Sequence, residues 1–269
     1  MKIGLVCTHF PPKQNAGSIR MRTFAEAWSR HACHEVYVFT ENHKQAPKYK
    51  PPKGVIVYRS LIQTASNKKG VLVRTFTELL LSLSVFIKLL VHSKLDVIVV
   101  SSPPFLLAVA ISRVARIRRI PYVADIRDTF PEALFDSQTI SRSSFLGRLL
   151  LRMEQTVYNK SSFVSTVTPG FAKHIQAKSH TSIIQISNGV ETNRFTPSEV
   201  GIHLRPFTLA FVGILARFQN IKLLVSYAEL LKKNTIDDIK ILVMGDGPKQ
   251  EYLEKSIENL NLDDYIDYR

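Results

Sequence analysis

Short apolar runs rich in valine and isoleucine alternate along this chain with longer segments in which apolar residues recur every three or four positions. That alternation predicts a parallel sheet covered by helices, because strands buried on both faces read as continuous apolar runs and are joined by amphipathic crossovers. Strands are expected at residues 2–8, 35–40, 54–59, 95–101, 120–126, 163–168 and 183–187. Between the first two, Met21, Phe24, Ala25 and Trp28 fall at i, i+3, i+4 and i+7, which sets one helical face against the sheet.

The stretch "TPSEVGIHLRP" interrupts the pattern with proline and charge and reads as a linker over residues 196–206, after a first Rossmann-like domain at 1–195. A second α/β unit follows over 207–269: a strand in "FTLAFVGIL", a helix in "IKLLVSYAELLKKN", a strand in "DIKILVMGDG", and a helix in "PKQEYLEKSIENLNL" with Pro248 at its first position. "DDYIDYR" then opens a third strand, so this second Rossmann-like domain is expected to be incomplete, with an open sheet edge and poor solubility.

The segment "GVLVRTFTELLLSLSVFIKLLVHSK" looks like a membrane span, yet Arg74, Glu78 and Lys88 interrupt it. Its unbroken apolar core is near half the length of about 20 residues that a span requires. The alternatives are a helix buried against the sheet, expected for most of it, and one dipping into a membrane interface with its cations toward headgroups. "ISRVARIRR" then places four arginines at the end of the next helix, where the helix dipole also favours cations.

With 45% apolar and 22% charged residues, the 269-residue chain has the composition of a soluble globular protein. Its +14 net charge is unevenly spread: Met1–Arg205 carries 28 Lys or Arg against 12 Asp or Glu, and the remainder 8 against 10. Such a basic first part attracts phosphates of a nucleotide substrate or lipid headgroups. No aromatics cluster among the cations and no nucleic-acid module is recognisable, so no nucleic-acid partner is expected. Cys7 and Cys33 give neither a disulfide framework nor metal-ligand spacing, and a strand pattern begins at once in "MKIGLVCT", which points to the cytoplasm.

Ligands of open parallel sheets sit beyond the carboxyl ends of the strands, so the loops there hold the candidate chemistry. In "THFPPKQNAGSIRMR", Gly17 opens a helix and lets backbone N–H groups approach a phosphate, whereas His9 reads as a loop residue. In "PYVADIRDTFPEA", Asp125 and Asp128 flank Arg127, which keeps the carboxylates ionised and suited to sugar hydroxyls; the alternative for Asp128 is a cap on the helix that starts near Pro131. "ISNGVETNRF" marks a turn at Asn188 and Gly189. In the second unit, "FVGILARFQN" offers Gly213 and Arg217 to a diphosphate, and "MGDGPKQEY" offers Gly245 and Gly247 to a nucleotide.

Taken in order, these pieces resemble glycosyltransferase family 4, whose members have the two-domain GT-B fold. The segment D-x-R-D-x-x-P-E is similar to that of the branch resembling N-acetylfucosaminyl transferases, and "GDGPKQEYLEK" to the family's second-domain G-D-G-P element. The resemblance implies retaining transfer of a sugar from a nucleotide-diphosphate donor to a lipid-linked or glycan acceptor in bacterial surface polysaccharide synthesis, at the cytoplasmic face of the membrane. It implies no cofactor and no metal, with the nucleotide sugar as substrate and an anionic membrane surface as a further candidate partner. By the same resemblance Gly17, Gly213 and Arg217 approach the donor diphosphate, Gly245 and Gly247 the nucleoside, and Asn188 and Gly189 the cleft between the domains. Arg127 stands where many relatives have histidine, which makes Asp128 or Asp125 the expected contact to the transferred sugar or acceptor.

Gln219 and Asn220 replace residues that are commonly glycine and lysine, and the family's E-x7-E segment is not reached before Arg269. The alternative expectation is therefore a truncated, catalytically inactive protein that docks on a membrane or a partner.

Overall fold

The computed structural model describes residues 1–30, 34–65, 71–136, 138–197, 206–216 and 219–269. The expected linker falls largely at 198–205, outside the described residues. Two compact units are present, Met1–Val190 and Glu191–Arg269.

The first unit is a doubly wound α/β layer structure. Its strands are β1 (Lys2–Val6), β2 (Glu35–Thr40), β3 (Val55–Arg59), β4 (Val97–Ser102), β5 (Tyr122–Ile126), β6 (Phe163–Thr166) and β7 (Ile183–Gln185). All seven expected strands form, each within two residues of the expected ends. They pair in parallel in the order β3-β2-β1-β4-β5-β6-β7, so the chain reverses direction across the sheet between β1 and β4. Loops on the two sides of such a switch point diverge and leave a crevice beyond the strand ends.

Strand alternation decides which residues meet which helices. Helix α1 (Ala16–Arg30) covers one face, where Met21 and Ala25 are buried and Phe24 and Trp28 pack against Ile3, Leu5, Val36, Val99 and Val123. Helices α2 (Val71–Val91), α3 (Phe105–Arg118) and α5 (Phe145–Lys160) cover the other face, through Leu81, Leu89, Leu107, Ile111 and Val157 against Val6, Ile98 and Ala124. The short α4 (Glu132–Asp136) follows β5, and α6 (Pro169–Gln176) follows β6. The expected burial of α2 holds for one side only: Leu81, Val85 and Leu89 are in the core, whereas Phe76, Leu79, Leu83 and Ile87 face solvent.

In the second unit, β8 (Phe207–Val212), β9 (Ile239–Met244) and β10 (Ile266–Tyr268) form a parallel sheet in the order β10-β9-β8, packed by α7 (Ile221–Lys233) and α8 (Gln250–Leu260). Strand β8 lies at an edge and leaves Phe207, Leu209 and Val212 exposed. Helix α8 starts two residues later than expected from Pro248. The N–H of Lys249 donates to Leu215 O (3.0 Å), which holds Gly247–Lys249 in a turn against the neighbouring loop rather than in a first helical turn.

Helix α5 begins on a tight turn. The Ser144 hydroxyl accepts from Gly147 N (3.0 Å), capping the helix, and a Cβ at Gly147 would run into the carbonyl of Ser141 and press on that of Arg142. Gly147→Ala is expected to lower the unfolding free energy of the first unit by roughly 2 kcal/mol through this overpacking, read from urea denaturation; an unchanged midpoint contradicts the close approach.

Candidate functional site

Three strands place a polar row on the α1 face at their carboxyl ends. Register aligns Ser101 of β4 with Asp125 of β5, and Asp125 with Ser165 of β6. Because alternate residues of a strand share a face, Val123, Asp125 and then Arg127 all point toward α1. Asp125 is fully buried. Its Oδ1 accepts from Arg20 Nη2 (2.8 Å) and from Ser165 Oγ (2.7 Å), and its Oδ2 accepts from Arg20 Nε (3.2 Å). Arg20, itself buried on α1, also donates through Nη1 to Ser187 O (3.2 Å) and Asn188 Oδ1 (3.4 Å), and its guanidinium lies 4.7 Å from the Phe24 ring. One side chain thus binds α1, β5 and the segment after β7 together.

Arg127 donates from Nε to Ser101 Oγ (3.0 Å) and stands 3.8 Å from Asp125 Oδ2. Burial lowers its pKa, with the Asp125 charge opposing. Its guanidinium lies over the first turn of α1: a Cβ on Gly17 would be 3.1 Å from Nη1 and 3.3 Å from Nη2. Asn15 caps the same turn, its Oδ1 accepting from Ser18 N (2.8 Å). Two guanidiniums therefore share one buried carboxylate beside a helix N-terminus, which carries partial positive charge of its own. That combination favours an anion with phosphate character.

The expected sugar contact by Asp125 does not fit its surroundings, since its oxygens are engaged by Arg20 and Ser165 and no part of it is exposed. It acts as a positioning group. Asp128 is exposed at the strand end, where a substrate hydroxyl can reach it. Glu132 turns inward instead: it pairs with Arg142 and Lys178, and Lys178 also reaches Glu154 (2.9 Å), fixing the segment that carries Asp128 to α5 and to the end of α6.

A second buried carboxylate secures the loop after β1. Glu41 Oε1 accepts from His9 Nδ1 (2.8 Å) and Lys13 Nζ (2.9 Å), while Oε2 accepts from Thr64 N (2.9 Å) and Thr64 Oγ1. Burial alone raises the Glu41 pKa, but the hydrogen bonds from His9, Thr64 and Lys13 outweigh it and hold the carboxyl at about 2. Cys7, on the same loop, is buried, and burial pushes its thiol up to about 12, which rules it out as a thiolate nucleophile near neutral pH.

Neither Arg20 nor Glu41 is singled out by motif. Arg20 sits at the border of the apolar face of α1, and a cation there, facing strands that carry one buried aspartate, is the signal available in the sequence. Asn188 is held by Arg20, and next to it Gly189 has open space around its Cα, both at the end of the first unit.

In the second unit, the loops after β8 and β9 lie side by side. Gly213 N donates to Met244 O (3.0 Å), and Leu215 N donates to Asp246 O (2.8 Å). Gly245 and Gly247 adopt φ of 148° and 151°. A Cβ on Gly245 would run into Gly213 O, and one on Gly247 would lie 2.7 Å from Leu215 O, so only glycine lets the loops approach this closely. Arg217 lies outside the described residues.

Two measurements test these networks. Asp125→Ala leaves two guanidiniums without their counterion, and a loss of roughly 3–5 kcal/mol in denaturant unfolding is expected; a loss below about 1 kcal/mol contradicts the shared-counterion arrangement. Glu41 binds its proton less readily folded than unfolded. Its stabilisation, about 3 kcal/mol, is full above the unfolded pKa of 4.5 and is lost as pH falls through about 2. Glu41→Gln is therefore expected to flatten the pH dependence of stability in that window, and an identical slope to the parent contradicts it.

Residues 16–189 match the family model of the glycosyl transferase 4-like domain, and residues 193–268 match that of glycosyl transferases group 1. A comparison with curated proteins returns no match. Among solved structures, Anabaena HepE in complex with UDP superposes with a TM-score of 0.66 at 15% identity, over 100% of this chain and 68% of that one. Sucrose-phosphate synthase from Thermosynechococcus elongatus gives 0.69 at 14% identity over 100% and 70%. WaaG, a glycosyltransferase involved in lipopolysaccharide biosynthesis, gives 0.61 at 15% identity over 99% and 69%. At such identities these structures speak to fold, and the fold is GT-B. The first family model alone spans more than half of the sequence, and the chain belongs to the glycosyltransferase 4-like family.

Proposed function

We propose that this glycosyltransferase moves a sugar, with retention, from a nucleoside-diphosphate donor to a hydroxyl of a lipid-linked or glycan acceptor in bacterial surface polysaccharide synthesis. The observation that carries the reading is the Arg127 guanidinium laid over Gly17 at the α1 N-terminus, a place built for a diphosphate. The ligands in the HepE structures, UDP and UDP-glucose, are a nucleoside diphosphate and a sugar ester of one, the same chemical class. In the second unit Gly213 has open space where a Cβ would stand, which suits backbone approach to the diphosphate, while Gly245 and Gly247 hold the two loops together into a rim for the nucleoside, with Arg217 assigned to the diphosphate.

In this reading the bond from the sugar anomeric carbon to the donor phosphate oxygen breaks, and a bond from the same carbon to the acceptor oxygen forms on the same face. The acceptor proton passes to the departing phosphate oxygen, which leaves as the nucleoside diphosphate. Arg127 and the α1 N-terminus stabilise the charge that develops on that phosphate, an effect that grows toward the transition state. Asp128 holds a hydroxyl of the transferred sugar or acceptor in line, while Asp125 keeps Arg20 and Arg127 in position. The resemblance of the D-x-R-D-x-x-P-E segment to that of N-acetylfucosaminyl transferases is what suggests an N-acetylhexosaminyl or related hexosyl unit as the transferred group.

A second reading, a docking protein without turnover, draws on the exposed apolar face of α2. Incubation with labelled nucleotide sugars and lipid-linked acceptors separates the two. Transfer is expected, with the product anomer matching the donor, and Asp128→Asn is expected to lower kcat by roughly a hundredfold at an unchanged melting temperature. Absence of both transfer and nucleoside-diphosphate binding contradicts the proposal.

A further inference from the structure

His9 stands at the same rim as the phosphate site and is not used by it. The loop that carries it is tied down along its length: Thr40 Oγ1 donates to Thr8 O (2.9 Å), Arg59 Nη2 donates to Pro11 O, and Lys13 N donates to Phe10 O (3.3 Å). Arg59 also donates from Nη1 to Glu41 O (3.3 Å), so one guanidinium holds both the loop after β1 and the residue after β2.

The ring of His9 is fixed as well as its backbone. Nδ1 lies 2.8 Å from Glu41 Oε1 and 3.0 Å from Lys13 Nζ. An ionised carboxylate that close to a bare ring nitrogen would set lone pair against lone pair, so Nδ1 carries the proton and donates it to Glu41, while Lys13 donates to the same oxygen (2.9 Å). That tautomer leaves the lone pair on Nε2, at the edge of the ring away from the carboxylate. Among the described residues Nε2 has no hydrogen-bond partner, and the His9 side chain is 32% exposed against 3% for Glu41.

Charge and position indicate what this nitrogen meets. Lys13 balances Glu41, and Glu78, the other carboxylate within electrostatic reach of His9, is paired with Arg74 (3.4 Å). A neutral imidazole among compensated charges offers a hydrogen-bond acceptor to a hydroxyl and no net attraction to a phosphate. Its supports also lie apart from those of Arg127. Glu41 and its partner Thr64 follow β2 and β3, whereas Ser101 and Arg127 belong to the ends of β4 and β5, across the switch point. The hydroxyl acceptor and the anion site therefore flank one crevice from opposite sides.

We infer that His9 is an acceptor-binding residue: its Nε2 accepts a hydrogen bond from a hydroxyl of a neutral acceptor saccharide, beside the hydroxyl that receives the sugar. This role rests on the glycosyl-transfer reading and leaves its proton route unchanged, because the reacting hydroxyl still gives its proton to the departing phosphate oxygen. Gripping the acceptor from the β2 side and the donor phosphate from the β5 side brings the two reactants together over β1 and β4. A saccharide lacking that hydroxyl leaves Nε2 unpaired, so His9 also selects among acceptors.

Nuclear magnetic resonance of the full chain carrying isotope-labelled histidine tests it, with UDP as donor probe and methyl β-glucoside, methyl β-galactoside and methyl N-acetyl-β-glucosaminide as acceptor probes. His9 is expected to carry its proton on Nδ1, and its Nε2 signal to move when at least one glycoside is added in the presence of UDP but not with UDP alone. His9→Asn keeps an amide donor near the Nδ1 position, so its melting temperature and UDP affinity are expected to match the parent. Its Kd for that glycoside, from saturation transfer, is expected to rise roughly tenfold. Equal glycoside affinity in His9→Asn, or a proton on Nε2 in the parent, overturns the proposal. So does a joint loss of melting temperature and UDP affinity in His9→Asn, which would reduce His9 to a support for its loop. A parent that binds UDP and leaves the His9 signal unmoved by every glycoside contradicts the His9 role alone, whereas one that binds neither UDP nor glycoside contradicts the glycosyl-transfer reading with it.

Discussion

The buried pair of Arg20 and Asp125 is the constraint on which the first unit's rim depends. A carboxylate removed from water at the end of a central strand is tolerable only with a partner of opposite charge and satisfied oxygens. Here the partner comes from α1, more than a hundred residues earlier, and it reaches on to the backbone after β7. The pair therefore sets the height of α1 over the sheet, and with it the position of Gly17. Arg127, two residues beyond Asp125 on the same face, then falls over the first turn of the helix. The electropositive spot is a consequence of strand alternation and one shared counterion, not of a loop folded for the purpose.

The supporting carboxylates follow the same logic at larger radius. Glu41 ties the loop after β1 to the approach to α2, and Glu132 and Glu154 gather on Lys178 beneath the segment that exposes Asp128. Each is buried and paired with a lysine from another part of the chain, Glu41 just after β2, Glu132 at the start of α4 and Glu154 within α5. Rigid strands carry the exposed groups, and buried charge pairs hold the connecting loops against them. In the second unit glycine performs the corresponding task, by letting two loops touch at backbone distance.

Much of this is legible in the sequence. The seven strands of the first unit and the α1 face follow from apolar periodicity, which reports burial directly. The role of Asp125 is harder to read. Its spacing from Arg127 and Asp128 invites a shared chemical task, but strand alternation and register to Ser101 and Ser165 send it inward while Asp128 remains at the surface. Arg20 is invisible as a partner because its contact is set by tertiary packing rather than by neighbours in the chain. Helix α2 misleads in the other direction: its composition indicates burial for most of it, and only the placement of the sheet shows which half of its apolar circumference is left open. Pro248 signals a helix start, but the bond from Lys249 to Leu215 delays it.

The central claim is that Arg127, left with a partial share of the Asp125 charge, is free to take a phosphate at the α1 N-terminus. Calorimetric titration of UDP and of uridine into the parent chain and Arg127→Gln tests it most directly. The account predicts that UDP binding weakens by roughly tenfold or more, about 1.4 kcal/mol or above, with uridine binding and the melting temperature unchanged. Equal UDP affinity in the two proteins would contradict it.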